Sequence, residues 1–189
     1  MDENENMPAW IKAQDLLTKL KYEFANRAIS LLYDEIKAGR VNFKGTLVTD
    51  PDKSDENEKY TFMISHLVEE RSKIHEMYDG YLEDINNIKD PNTLNRIEGL
   101  KKFVLAVDTI SVLEDYKREM DDWILDASLS ITDEDPSDII YNTLLNSPKR
   151  QEIAEFSITN PYFKKEVLTE YEYNLIKNAY DKVKSKDKI

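Results

Sequence analysis

Five of the seven carboxylates in residues 108–126 of this 189-residue chain recur at near-helical spacing: Asp108, Asp115, Glu119, Asp122 and Asp126. Steps of three, four or seven residues place them on one side of any helix that carries them. Glu119 and Asp122, one turn apart, form a pair able to hold Mg²⁺ beside a nucleotide phosphate, with Asp115 a turn earlier. Such a site requires a second acidic pair on a facing helix and basic groups for the phosphate. Asp79, Glu83 and Asp84 can supply the pair, but no motif enforces the meeting. A solvated acidic face is the expectation, and Glu119, Asp122 and Asp115 are the weak metal candidates. No catalytic residue and no cofactor is assigned.

Other chemistries fit the residues less well. The run Asp50-Pro-Asp-Lys-Ser-Asp-Glu-Asn-Glu58 holds five carboxylates and no apolar side chain. Aligned as a calcium loop from Asp50, it has Asp55 where the sharp turn needs Gly and Thr61 where a bidentate Glu must chelate. It reads as an acidic connector whose Glu56 and Glu58 favour the start of a following helix. His66 and His75 are nine residues apart, which puts them on opposite sides of one helix. Met63 and Ser72 precede them by three, so the Glu-x-x-His pairs of di-iron bundles are missing. Gly39 to Thr46 has its glycines, lysine and threonine in the wrong order for a phosphate loop. The chain lacks cysteine, which removes disulfides, thiolate metal sites and a cysteine nucleophile.

Charge separates two regions. The net charge is −12, but residues 1–136 carry −13 and residues 137–189 carry +1 when counted along the sequence. The first region repels nucleic acid and anionic membranes. The second interleaves aromatics with lysines, from Tyr162-Phe163-Lys-Lys165 to Tyr171, Tyr173, Lys177, Tyr180 and Lys182. Aromatic platforms beside lysines can bind single strands, so nucleic acid is not expected as a partner of 1–136 and is an option for 137–189. Arg150 is the only arginine there, which weakens base readout.

The elements that must position these residues are helical. Four glycines are too few for a turn-rich β fold. Asp90-Pro91, Asp135-Pro136, Ser147-Pro148 and Asn160-Pro161 each join an N-cap residue to a proline at the first helical position, and so predict four helix starts. Thr169-Glu-Tyr-Glu172 is a candidate capping box. The first helix is predicted over 8–38, stopped by Gly39 in a left-handed conformation. Its stripe of Trp10, Ala13, Leu17, Leu20, Phe24, Ala28 and Leu31 is widened by Ile11, Ile29 and Ile36. A second is predicted over 59–89, with Tyr60, Met63, Leu67, Ile74, Met77, Tyr81, Ile85 and Ile88 on one face. A third follows Pro91 to about Ala127, apolar nearly all round at its centre. Short helices are expected near 136–146, 148–157 and 161–167, then a longer one near 170–185 with a frayed lysine tail. Residues 40–49 read as either a short β-hairpin or an irregular loop.

The expected fold is all-α: an elongated bundle of three long antiparallel helices over 1–128, with a group of shorter helices over 136–189 packed on it as one folding unit. No apolar run approaches the roughly 20 residues that span a bilayer, and the acidic N-terminus is no secretory signal. A cytoplasmic protein is expected, or a virion component, since the preference for lysine over arginine suits the AT-rich genes of phages and mobile elements. The expected function is non-catalytic: an oligomeric interaction or assembly protein using Ile11, Ile29, Ile36, Phe43, Leu47, Tyr162 and Phe163. The alternatives are an acidic mimic of nucleic acid that inhibits a nucleic-acid-processing enzyme, and a Mg²⁺-dependent nucleotide hydrolase.

Overall fold

The four helix starts marked by a proline, and the Thr169–Glu172 box, are closed by the caps that the sequence offers. A computed structural model of the chain describes residues 7–40, 56–130 and 135–187. Among these residues all regular structure is helical: α1 (Ala9–Lys37), α2 (Glu56–Glu83), α3 (Pro91–Ser128), α4 (Pro136–Leu144), α5 (Pro148–Thr159) and α6 (Glu170–Asp187). Residues 41–49 of the expected hairpin or loop, with Phe43 and Leu47, lie outside the described residues, as do Asp50 to Asp55.

The caps are local chemistry made visible. Asp135 accepts from the Ser137 N–H at 2.9 Å, and the Ser147 hydroxyl accepts from the Arg150 N–H at 3.3 Å. Asn160 Oδ1 accepts from the Tyr162 and Phe163 amides at 3.0 and 3.3 Å. Asp90 accepts from the Asn92 N–H at 3.4 Å and from the Thr93 hydroxyl at 2.9 Å. In every case a side-chain oxygen satisfies a donor that the first helical turn leaves without a partner. Thr169 and Glu172 form the full reciprocal box: the Glu172 N–H donates to Thr169 Oγ1 at 3.1 Å, and the Thr169 N–H donates to Glu172 Oε1 at 2.9 Å. At the other end of α1, Gly39 adopts φ 75°. The Arg40 N–H then reaches Glu35 O at 3.1 Å and the Gly39 N–H reaches Ile36 O at 3.0 Å, the paired bonds of a Schellman stop.

Three boundaries differ from expectation. The second helix begins at Glu56 and ends at Glu83, followed by one 3₁₀ turn at Ile85–Asn87. Asp84 leaves helical geometry with φ −109° and ψ 9°, and the two asparagines beyond it are poor helix formers. Within 161–167 the chain makes a π-helical turn at Phe163–Val167, with the Leu168 N–H bonded to Phe163 O at 2.9 Å. The lysine tail does not fray before Asp187: Val183 is buried, and Lys184 and Lys186 sit at the helix end where cations are favoured.

The chain divides into two compact units, and the division passes through α1 and α3. The first unit comprises residues 1–23 and 116–189, the second residues 24–115. In the first unit α6 packs on α4 and α5, and the π turn packs on α5. Its interior holds Trp123, Met120, Ile139, Ile140, Leu144, Ile153, Phe163 and Ile176, all fully or almost fully buried. Burying one such aliphatic side chain contributes about 1.5–3 kcal/mol. The second unit buries Phe24, Ala28 and Leu32 of α1, Met63, Ile64 and Leu67 of α2, and Val104, Val107, Ile110 and Leu113 of α3.

Candidate interaction surface

The acidic stripe of α3 is largely answered by the protein's own cations. Glu119 and Asp126 lie two turns apart on one face, and Arg150 from α5 bridges them. Its Nε donates to Glu119 Oε1 at 2.9 Å and its Nη2 meets Asp126 Oδ2 at 2.7 Å. Nη1 donates to the Thr143 carbonyl at 3.2 Å, and the Thr143 hydroxyl accepts from Trp123 Nε1 at 2.8 Å. The arrangement ties α3 to α4 and α5 through one guanidinium whose side chain is only 11% exposed. Sequence reasoning missed this role. The available signal was two carboxylates seven residues apart and one arginine in a region otherwise served by lysine.

The metal candidates are therefore spread over different tasks. Glu119 is held by Arg150, Asp122 is exposed beside Trp123, and Asp115 lies in the other unit. Among the described residues, no three His, Asp or Glu side chains gather in a way that would hold a metal ion.

Asp108, at the head of the stripe, receives a second set of donors from α2. His75 Nε2 lies 2.7 Å and Arg71 Nε 2.8 Å from the same oxygen, Oδ1. Burial pushes the Asp108 carboxyl up, but the bonds from His75 and Arg71 outweigh it and hold its pKa below the usual value. A carboxylate with an imidazole suggests a base poised for a hydroxyl. The nearby Ser111 Oγ is buried and has no hydrogen-bond partner among the described residues. The pair joins two helices.

The residues expected to meet partners fall into three groups. Ile11, Ile29 and Ile36 are half-buried along α1. Phe43 and Leu47 lie outside the described residues. Tyr162 is 38% exposed, whereas Phe163 is 1% exposed and packs edge-on against both Phe156 and Tyr162. Phe163 thus belongs to the interior of the first unit, because the π turn directs it onto α5. The C-terminal lysines lie over tyrosines of the same chain: Lys182 over Tyr141 at 4.3 Å, Lys184 over Tyr180 at 5.4 Å and Lys164 over Tyr173 at 5.6 Å. Those ring faces already have a cation on them.

Apolar surface remains elsewhere, on the second unit. Leu94, Leu105 and Val112 of α3 are 39%, 58% and 42% exposed. Spacings of eleven and seven residues align them within roughly 20° on one side of the helix, away from the buried Val107 and Ile110. On α2, the stripe predicted from Tyr60 to Ile88 is covered in part only. Met63 and Leu67 are each 4% exposed, but Met77 is 57% and Tyr81 43% exposed. The sequence pattern marks the whole stripe as apolar; the fold supplies a cover for its first half. Beyond that cover, Met77, Gly80, Tyr81, Asp84 and Ile88 line an open groove of about 470 Å³.

No described helix is long and apolar enough to cross a membrane. No protein-family model, curated protein or solved structure shows significant similarity to this chain.

Proposed function

We propose that this chain is a non-catalytic helical interaction protein that associates with copies of itself or joins a larger assembly. In this reading α1, α2 and α3 form the antiparallel framework expected from the sequence. The observation that carries the proposal is the exposed face of α3, where Leu94, Leu105 and Val112 point away from the helix's own core contacts. Three exposed aliphatic side chains on the side of α3 opposite its core, interspersed with Glu98 and Lys101, are apolar surface that the described fold leaves uncovered. Aligned aliphatic side chains left in water mark a site of association more often than isolated ones do. A place in a phage or mobile-element particle is the setting that the lysine-rich composition favours.

The test is the mass of the purified full chain by light scattering. An oligomer that is reduced to monomer by Leu105→Glu with Val112→Glu, at unchanged helicity, supports the reading. A strict monomer at all concentrations, with no larger complex recovered in its native setting, overturns it.

A further inference from the structure

The groove at the end of α2 combines features that point to one kind of occupant. Its walls are apolar: Met77 and Tyr81 are the exposed continuation of a stripe whose first half is core, and Ile88 closes the far end. Its floor is Gly80. A Cβ built there would meet nothing within 4 Å among the described residues, and its φ is not positive. The fold therefore has no need of glycine at a position where it costs the helix about 1 kcal/mol relative to alanine. What glycine does provide is close approach for a second backbone. The rim is acidic: residues 76–90 hold Glu76, Asp79, Glu83, Asp84 and Asp90 against the single cation Lys89. Asp90 caps α3 through Thr93. The other four are exposed, and none forms an ion pair among the described residues. Nearby cations are engaged elsewhere, Arg71 with Asp108 and Lys73 with Glu70.

We infer that this groove docks a basic amphipathic helix of another protein, its apolar side on Met77, Tyr81 and Ile88 and its lysines or arginines on Glu76, Asp79, Glu83 and Asp84. The inference rests on the reading of the chain as an interaction protein and names a partner class for it. From Met77 to Ile88 the groove matches about three turns of a partner helix. A second copy presenting the same groove would set carboxylates against carboxylates, which disfavours a two-fold contact here. The chain's own lysine-rich helix, α6, is unsuited to the groove, since Leu175, Ile176, Ala179 and Val183 are buried in the first unit.

The experiment titrates the full chain into a fluorescent synthetic helix of about 18 residues, with leucines on one face and lysines on the other. Saturable one-to-one binding in the micromolar range is expected, weakening steeply with salt. Met77→Ser with Tyr81→Ser, and Asp79→Asn with Glu83→Gln and Asp84→Asn, are each expected to weaken it roughly tenfold or more, about 1.4 kcal/mol by the affinity relation. Gly80→Gln fills the floor with a better helix former, so weaker binding by a more stable protein supports the groove and excludes unfolding as the cause. Leu125→Ser with Leu129→Ser, in the other unit, is expected to bind as the parent does. The inference is overturned by no binding, by equal binding of a peptide with its leucines scattered, or by binding that follows charge alone and ignores Met77, Tyr81 and Gly80. Any of these with self-association intact removes the groove and leaves the interaction reading standing; loss of both removes that reading.

Discussion

Arg150 Nε lies 2.9 Å from Glu119 Oε1, so a residue in the first turn of α5 is locked to the C-terminal third of α3. The same guanidinium reaches Asp126 and the Thr143 carbonyl. Removing it strands two carboxylates and a carbonyl at once. Arg150→Met is expected to destabilise the first unit by about 1–3 kcal/mol, a range reduced from that of a fully buried pair because Glu119 and Asp126 keep some solvent. Urea unfolding followed by the fluorescence of buried Trp123 measures it. Arg150→Lys is expected to recover less than half, since one ammonium cannot reproduce the fork.

The Asp108 link predicts an acid limb in the stability of the second unit. Its folded pKa is lowered from the ordinary 3.8, so its contribution is complete above the unfolded value and disappears as pH falls through the lower folded one. Stability is thus expected to fall on acidification below pH 3.8, and Asp108→Asn is expected to flatten that fall. Chemical denaturation repeated across acidic pH checks this; an unchanged slope in the variant would remove Asp108 from the account.

Glu172 serves two partners through one oxygen. Its Oε1 accepts from the Thr169 N–H at 2.9 Å and from Lys19 Nζ, on α1, at 2.8 Å. Thr169→Ala is expected to cost about 1 kcal/mol, the usual value of an N-cap. Glu172→Ala is expected to cost more, because it also breaks the link to α1. The melting temperatures of the two variants, compared with Thr169→Ser as a near-neutral control, decide the order.

Gly39 separates backbone strain from steric fit. Among the described residues nothing lies within 4 Å of a Cβ placed there, yet its φ is 75°. Gly39→Ala is therefore expected to lose about 1 kcal/mol, entirely from the left-handed conformation. The opposite sign is expected for Gly80→Ala, where the backbone has no positive φ. Denaturation of the two variants side by side is a direct comparison.

The sequence alone determined what depends on neighbouring residues. Asp135-Pro136, Ser147-Pro148, Asn160-Pro161, the Thr169–Glu172 box and Gly39 all became the helix ends they announced, because a cap is a bond between atoms a few residues apart. The all-α class followed from the same local chemistry and from apolar spacing. Tertiary structure decided whatever needs a distant partner. It paired Arg150 with Glu119 and Asp126, brought His75 and Arg71 to Asp108, and turned Phe163 inward. On α2 it covered Met63 and Leu67 while leaving Met77 and Tyr81 in water. Periodicity records that a helix face is apolar; which surface comes to lie against it is set by the rest of the chain, or by another molecule.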